Sequence, residues 1–210
     1  MVDVAVVDYG MGNLRSVEQA LRKVAPTAEV VVSDAAGVIA NAKRVVFPGQ
    51  GAMPDCMREL DARGLRNAVL EAARNKPFLG ICIGLQMLFE HSDEGNVAGL
   101  AILRGEVVRF ASGMHDAQGD KLKVPHMGWN QVHHGEHPLW RGIAQDAHFY
   151  FVHSFYVQPR DASLVQATSD YPQPFVCAVA RDNLFSVQFH PEKSSTAGLK
   201  LLQNFMQWTP

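Results

Sequence analysis

The sequence has few cysteines and no concentration of charge. Its three cysteines, Cys56, Cys82 and Cys177, are too few and too irregularly spaced for a disulfide scaffold. They form no Cys-x-x-Cys pair of the kind that holds a structural zinc ion, so we expect no metal site. The formal net charge is −2, and the basic residues are scattered along the chain. A nucleic-acid-binding surface would need a concentrated basic stripe, so we expect no nucleic-acid partner.

Long hydrophobic runs are also missing. The longest apolar runs, such as residues 2–7 and 79–83, have the length of strands and fall far below the roughly 20 residues that a membrane span requires. The N-terminal residues enter a strand pattern directly, without the basic segment or cleavage site of a signal peptide. The cysteine usage and these absences together predict a cytoplasmic protein that does not bind a membrane. Hydrophobic residues make up 47% of the 210 residues, which is enough for one large core, and we expect residues 1–210 to form a single domain.

The first half of the chain alternates between strand patterns and helix patterns. Apolar strand patterns cover residues 2–8, 29–32, 44–47 and 77–81. A helix pattern follows the first strand and ends at Pro26, and another runs from about Asp55 to Ala73 with a break at Gly64. This alternation predicts βαβ units, and therefore an α/β fold whose mainly parallel central sheet is flanked by helices.

The second half differs because its strand patterns are short and closely spaced. They cover residues 100–103, 107–110, 129–132, 147–157, 164–168, 174–180 and 184–189. The turn sequence Arg181-Asp182-Asn183 separates the last two, as in a hairpin. A final helix is predicted to begin near Ser194. We therefore expect antiparallel additions to the parallel sheet in this half.

Cys82 lies at the centre of Gly80-Ile81-Cys82-Ile83-Gly84, between a strand pattern and a helix pattern that continues to Phe89. This is the nucleophile-elbow pattern with cysteine in the place of serine. Such a turn strains the central residue and needs very small residues two positions away on either side. The following helix would direct its positive end at the sulfur and favour the thiolate. The alternative is a buried structural cysteine, which is how we interpret Cys56 and Cys177.

His190 is the best candidate for the base that a nucleophilic cysteine requires. It follows the strand pattern of residues 184–189 and precedes Pro191, which ends the strand. Active sites of open α/β sheets lie at such carboxyl ends. Glu192 is close enough along the chain to orient the imidazole, which would complete a Cys-His-Glu triad.

Three motifs resemble those of the class I, triad-type glutamine amidotransferases. Gly80-Ile81-Cys82-Ile83-Gly84-Leu85-Gln86 resembles the nucleophile motif of this family, and Gln188-Phe189-His190-Pro191-Glu192 resembles its His-x-Glu motif. Pro48-Gly49-Gln50-Gly51 is similar to its oxyanion strand. The motifs occur at the expected intervals, so the resemblance covers essentially the whole chain. It implies a glutaminase that works through a cysteine thioester and needs no cofactor.

Three longer segments are similar to the glutaminase subunits of imidazole glycerol phosphate synthases, a subfamily of histidine biosynthesis. These segments are residues 8–16, 125–130 and 150–156. The resemblance implies glutamine as substrate and a heterodimer with a cyclase subunit that folds as a (β/α)8 barrel. Ammonia would pass through the barrel and convert the ribulosyl intermediate PRFAR to imidazole glycerol phosphate and AICAR.

The same resemblance implies roles for individual residues. The triad would be Cys82, His190 and Glu192. The oxyanion hole would be framed by Gly49, Gln50 and Ile83. The glutamine pocket would include Gly51, Gln86, Glu94, Ser154 and Phe155. The cyclase interface would include Asn13, His126, Trp129, Asn130 and Lys193.

Three of these assignments leave questions open. Gln50 stands where the family commonly has valine, although its backbone N–H is unchanged. Phe155 stands where tyrosine is common, so a phenolic hydrogen bond would be lost. Glu94 could also be an ordinary surface carboxylate rather than a partner for the substrate ammonium.

Other functions are compatible with parts of the sequence. Gly10-Met11-Gly12 after the first strand suggests a nucleotide-binding turn, but Arg15 occupies the place of the third glycine of that pattern. A glutaminase subunit of another ammonia-channelling synthase is a second alternative. A catalytically silent subunit that only binds a partner is a third, and a Cys82→Ser comparison would distinguish it.

Overall fold

The centre of the protein is a parallel sheet whose strands come from both halves of the chain. The computed structural model describes residues 2–116 and 118–210. Five strands run parallel in the order β2-β1-β3-β4-β13, namely β1 (Val4–Val7), β2 (Val30–Ser33), β3 (Arg44–Gly49), β4 (Phe78–Cys82) and β13 (Leu184–Val187). Every residue of β1, β4 and β13 is buried, so both faces of this part of the sheet are covered.

Helices supply this cover. The described residues contain α1 (Leu14–Val24), α2 (Ala36–Asn41), α3 (Met53–Ala62), α4 (Arg66–Asn75), α5 (Ile83–Gln86) and α6 (Ser195–Gln207). Helix α1 packs on α6, and α2 packs on α4. The buried side of α1 consists of Val17, Ala20 and Leu21, which recur at the spacing of one helix face. The predicted break at Gly64 separates α3 from α4, and this glycine has the left-handed φ of +66° that ends helices.

The remaining strands are mostly antiparallel and extend the sheet beyond β13. They are β5 (His91–Ser92), β6 (Val97–Ala98), β7 (Gly105–Arg109), β8 (His126–His134), β9 (Ala147–His153), β10 (Phe155–Pro159), β11 (Val165–Asp170) and β12 (Pro174–Arg181). The order continues from β13 through β12, β10, β7 and β5 to β6, while β11, β8 and β9 branch from β12. Short 3-10 helices cover Pro138–Trp140, Ala162–Leu164 and Pro191–Lys193. The prediction of a mainly parallel centre with antiparallel additions is confirmed.

Two local predictions after Cys82 are wrong. The helix expected to reach Phe89 is only the four-residue α5, and residues 100–103 form a loop rather than a strand. The N–H groups of Leu100, Ile102 and Leu103 donate to the carbonyls of Met87 and Leu88. These bonds occupy the N–H groups of residues 100–103, which therefore join no ladder. The helix itself ends in turns, since the N–H groups of Leu88 and Phe89 bond three residues back, to Leu85 O and Gln86 O.

The strand predicted over residues 147–157 is two strands. Its first part, β9, pairs with β8, whereas its second part, β10, pairs with β7 and β12. Ser154 separates them, and its carbonyl accepts a hydrogen bond from Phe110 N at 3.0 Å. Sequence periodicity could not reveal this exchange of partners, because both parts have strand character. Among the described residues no helix has the length and apolarity to cross a membrane.

Candidate active site

Cys82 and His190 meet because the strands that precede them are neighbours in the sheet. Cys82 is the last residue of β4, and His190 follows the last residue of β13 by three positions. These strands are parallel, with Ile81 opposite Val187. Their carboxyl ends therefore lie at the same edge of the sheet, where open α/β folds bind ligands.

The backbone at Cys82 has the strained geometry of a nucleophile elbow. Its φ of 57° and ψ of −112° are unusual for a residue with a side chain. The two flanking glycines are required by space rather than by φ. A Cβ at Gly84 would lie 1.9 Å from the carbonyl oxygen of Phe47, and one at Gly80 would lie 2.5 Å from Ser186 Oγ. Because α5 is so short, its dipole supports a thiolate less than the predicted longer helix would.

The base and its orienting carboxylate form a buried pair. His190 Nδ1 lies 2.9 Å from Glu192 Oε1, and their side chains are 5% and 1% exposed. A carboxylate accepts, so Nδ1 carries the proton and Nε2 is left for the nucleophile. Nε2 is buried without a hydrogen-bond partner among the described residues. Ser194 fixes the backbone here, since its Oγ donates to His190 O at 2.6 Å and accepts from Tyr150 N at 2.9 Å.

The charges around His190 favour its protonated form. Burial alone would lower the pKa of the imidazole, because it penalises the charged ring. The negative charge of the Cys82 thiolate and that of Glu192 outweigh this penalty and raise the pKa of His190 to about 10. The His190 ring therefore accepts a proton readily at its free Nε2, as the base of a cysteine nucleophile must.

A cavity of about 280 Å³ opens above Cys82 and His190. This size is at the lower end of small-molecule sites. Its lining includes Gln50, Gly51, Cys82, Ile83, Gln86, Glu94, Pro125, Val152, His153, Ser154, Phe155, His190 and Lys193. All five residues that the sequence predicted for substrate binding are in this lining. The structure thus brings them together with the nucleophile and the base.

Two of the predicted substrate residues have part of their polar capacity already used. Glu94 Oε2 accepts from Met53 N at 2.8 Å, and so caps the first turn of α3. Gln86 Nε2 donates to Phe155 O at 3.2 Å and to Gln188 Oε1 at 3.1 Å. Its Oε1 is buried and unpaired among the described atoms, which leaves an acceptor in the cavity wall.

The predicted oxyanion residues lie beside the nucleophile. Gly49 is the register partner of Cys82 across β3 and β4, and Ile83 and Gln50 line the cavity. The carbonyl of Gln50 accepts from Cys56 Sγ at 3.4 Å. Because the two groups of a trans peptide point in opposite directions, the N–H of Gly51 points away from Cys56. The buried Cys56 therefore contacts the oxyanion segment rather than only filling the core.

Sequence reasoning missed the role of Gln188. This residue is completely buried, and its Nε2 lies 3.8 Å from Cys82 Sγ. The signal was the amide itself, a polar side chain within the apolar run Phe185-Ser186-Val187-Gln188-Phe189. A buried amide must find partners, and the nearest polar groups at this strand end are those of the active site.

The sequence matches the family model described as "Glutamine amidotransferase class-I" over residues 5–208. The chain belongs to the class-I glutamine amidotransferase family.

Relatives of this amidotransferase share its whole length. It is 64% identical to the imidazole glycerol phosphate synthase subunit HisH of Thiobacillus denitrificans, over 100% of this chain and 92% of that protein. It is equally similar, at 64% identity, to the HisH subunit of Nitrosospira multiformis over 100% of both chains. A solved structure of a glutamine amidotransferase covers 98% of this chain and 97% of its own with a TM-score of 0.73, at 17% identity. This protein therefore shares its fold with a solved glutamine amidotransferase.

One face of the amidotransferase beside the cavity exposes large apolar side chains. Met127 and Trp129 on β8 are 61% and 52% exposed. The ring of Trp129 lies edge-on to Tyr150 at 6.1 Å, and Lys193 Nζ lies 5.9 Å above Tyr150. Lys193 lines both the cavity and a shallow groove next to Trp129. The exposed face and the active site therefore share a wall.

The other predicted interface residues are less exposed than expected. His126 is 4% exposed and stacks on the rings of Phe151 and Tyr171, so its side chain is not presented at the surface of the free subunit. Side chains alternate along a strand, which turns His126 inward while Met127 points out. Asn130 is half-buried and donates to Asp170 O at 2.8 Å, and Asn13 is half-buried before α1.

Proposed function

We propose that this protein is the glutamine-hydrolysing subunit of an imidazole glycerol phosphate synthase. It releases ammonia for a cyclase subunit that folds as a (β/α)8 barrel and converts PRFAR to imidazole glycerol phosphate and AICAR. The observation that carries the proposal is the meeting of Cys82 and His190 in one cavity, with Glu192 hydrogen-bonded to the far nitrogen of the imidazole. Full-length relatives that carry the name of this synthase support the choice of pathway. We further propose a single domain over residues 1–210 and a cytoplasmic location.

The geometry supports a two-step hydrolysis. His190 Nε2 takes the thiol proton, and Cys82 Sγ attacks the side-chain amide carbon of glutamine. The oxyanion is stabilised by backbone N–H groups near Ile83 and the Gly49–Gly51 segment, where removing one donor typically costs roughly 10²–10³ in rate. His190 returns the proton to the departing nitrogen, and ammonia leaves a thioester on Cys82. His190 then deprotonates a water molecule that attacks the thioester, and glutamate leaves as the proton returns to sulfur.

The exposed face around Met127 and Trp129 is the proposed docking surface for the cyclase. An exposed tryptophan beside an exposed methionine is typical of protein interfaces. Lys193 separates this face from the cavity, so ammonia formed at Cys82 has a short way to the partner. We expect low glutaminase activity without the partner, because the glycine-rich segment Pro48-Gly49-Gln50-Gly51 can hold its N–H groups misaligned until docking.

The test is glutamate release from glutamine by the purified chain, alone and with the cyclase subunit and its ribulosyl ligand. Cys82→Ser is the active-site variant. Cys177→Ser is the matched control, because this buried cysteine lies in β12 and takes no part in the site. We expect strong stimulation by the cyclase, its loss in Cys82→Ser and its retention in Cys177→Ser.

The outcomes separate the alternatives. Activity without stimulation would keep the glutaminase and exclude the proposed partner. Equal activity of Cys82→Ser and the wild type would exclude the triad. Inactivity under every condition would favour a subunit that only binds a partner.

A further inference from the structure

Gln188 connects the nucleophile to a buried polar chain that the hydrolysis scheme does not use. Its side-chain amide lies between Gln86 and Cys82, with Oε1 at 3.1 Å from Gln86 Nε2 and Nε2 at 3.8 Å from Cys82 Sγ. Gln86 and Gln188 are 1% and 0% exposed. Both amides are therefore shielded from water at the base of the cavity.

The orientation of the Gln188 amide follows from its neighbours. The carbonyl of Phe155 can only accept, so the Gln86 atom that faces it must be Nε2. The same Nε2 donates to Gln188, whose facing atom must then be the oxygen. Gln188 Nε2 is thereby turned to the sulfur, and a flipped amide would break the chain of donors and acceptors.

The chain continues away from the nucleophile through two histidines. His153 Nδ1 lies 2.8 Å from Phe155 O, and His153 Nε2 lies 3.0 Å from His126 Nδ1. Asn130 Nδ2 lies 3.2 Å from His126 Nε2. Since Phe155 O only accepts, His153 Nδ1 must be the donor, and each later link then has one donor and one acceptor.

Both histidines are neutral, which fixes these tautomers. Burial lowers the pKa of His153 to about 3, although its bond to Phe155 acts in the opposite direction. Burial also lowers the pKa of His126 to about 4. At neutral pH each ring therefore has a single N–H, and the Phe155 carbonyl is held in place for Gln86.

We propose that Gln188 is a hydrogen-bond donor to the Cys82 thiolate and that Gln86, fixed by the Phe155 carbonyl, positions it. This inference rests on the proposed glutaminase function and adds a residue to its machinery. An N–H group aimed at the sulfur favours the thiolate over the thiol, because hydrogen bonds to a charged acceptor are stronger. The bond weakens when the sulfur becomes part of the neutral thioester, so its effect is on formation of the nucleophile.

Other groups also act on the charge of Cys82, and the experiment must keep them unchanged. His190 faces the sulfur from the end of β13, while Glu94 and Lys193 line the same cavity. Cys56 and Tyr9 also lie close enough to Cys82 to interact with its charge. The variants therefore change only the amide of Gln188 or the residue that orients it.

The test is the rate of alkylation of Cys82 by iodoacetamide in a series of buffers from acid to alkaline pH. Mass spectrometry of the Cys82 peptide separates it from Cys56 and Cys177. Gln188→Met keeps the length of the side chain without its N–H, and Gln188→Glu places an oxygen against the sulfur. Gln158→Met is the matched control, because Gln158 is exposed on β10. Gln86→Met tests the positioning residue with Gln188 intact.

We expect the alkylation midpoint of Gln188→Met to rise by about one pH unit, the value of one hydrogen bond to a charged group. The midpoint of Gln188→Glu should rise further, because its carboxylate repels the thiolate. The midpoint of Gln86→Met should rise less, and that of Gln158→Met should match the wild type. In the glutamate-release assay, Gln188→Met should lower kcat by a larger factor than the factor by which it changes KM. If Gln188→Met does not fold, the alkylation midpoint of Gln86→Met decides: a raised midpoint supports the inference and a wild-type midpoint overturns it.

Wild-type midpoints in both folded Gln188→Met and Gln86→Met would overturn the inference. Alkylation does not depend on turnover of glutamine. If the wild-type chain releases no glutamate with the cyclase while Gln188→Met and Gln86→Met show the shifted midpoints, the proposed function is refuted and the donor role of Gln188 stands.

Discussion

Gly84→Ala would test whether the nucleophile turn depends on the contact between α5 and β3. The added Cβ would lie 1.9 Å from the carbonyl oxygen of Phe47, whereas ordinary contact begins at 3.4 Å. The two backbone segments must therefore separate by about 1.5 Å, the difference between these distances. Neither side can give way easily, because Phe47 is completely buried in a central strand and Gly84 is in the turn that carries Cys82.

Two losses follow from this displacement. Overfilling a packed core typically costs roughly 1–3 kcal/mol, and a clash with backbone belongs at the upper end of that range. A shift of about 1 Å in the position of a reacting group costs on the order of 10²-fold in rate. We therefore expect Gly84→Ala to lose about 3 kcal/mol of unfolding free energy and at least about 100-fold in glutaminase activity with the cyclase present.

Denaturant unfolding and glutamate release would measure the two effects. Gly37→Ala is the matched control, since Gly37 lies in α2 and its new Cβ would meet nothing within 4 Å. This control should be as active as the wild type and more stable by up to about 1 kcal/mol, the helix-propensity difference between glycine and alanine. A Gly84→Ala protein as stable and active as Gly37→Ala would refute the reasoning from close approach.

Two further predictions follow from the strained nucleophile and from the buried histidines. Cys82→Gly should unfold with a free energy about 1–2 kcal/mol higher than Cys82→Ala, because both lack the sulfur and only glycine relieves the positive φ; equal stability in denaturant titrations would show that the turn is not strained. The pKa of His126 falls from 6.5 in the unfolded chain to about 4 in the folded protein because of burial. As pH falls, His126 therefore binds a proton in the unfolded state before it does so in the folded state. The contribution of neutral, buried His126 to the free energy of unfolding is complete above pH 6.5 and is lost as the pH falls toward 4. Between about pH 7 and pH 5 the wild type should lose roughly 2 kcal/mol more than His126→Asn, and parallel stability curves would contradict this sign.

The central features could be predicted because each is encoded locally. The spacing of Gly80, Cys82 and Gly84 implies a strained turn, since only glycine fits beside Phe47 O and Ser186 Oγ. The proline after His190 ends a strand pattern, and the carboxylate two positions later can reach the imidazole. The parallel core follows from the alternation of strand and helix patterns in the first half.

Other features depend on contacts between distant segments and were not encoded in a local pattern. The helix after Cys82 ends after one turn in i→i−3 bonds, and the next carbonyls, of Met87 and Leu88, accept from residues 100–103. The inward turn of His126 is set by the register of β8 against β9, where it lies opposite His153. Gln188 was visible in its motif, but its contact with the sulfur depends on Gln86 and Phe155.

The pairing of β8 with β9 has a thermodynamic consequence. Strand β8 exposes Met127 and Trp129 on the proposed docking face, while β9 ends at His153 in the cavity wall. Substrate and partner thus act on one structural element, and their binding free energies are linked. Whatever factor the cyclase adds to the affinity for glutamine, glutamine must add the same factor to the affinity for the cyclase. Where that factor exceeds one, assembly of the two subunits tightens when glutamine is abundant and loosens when the nitrogen supply falls.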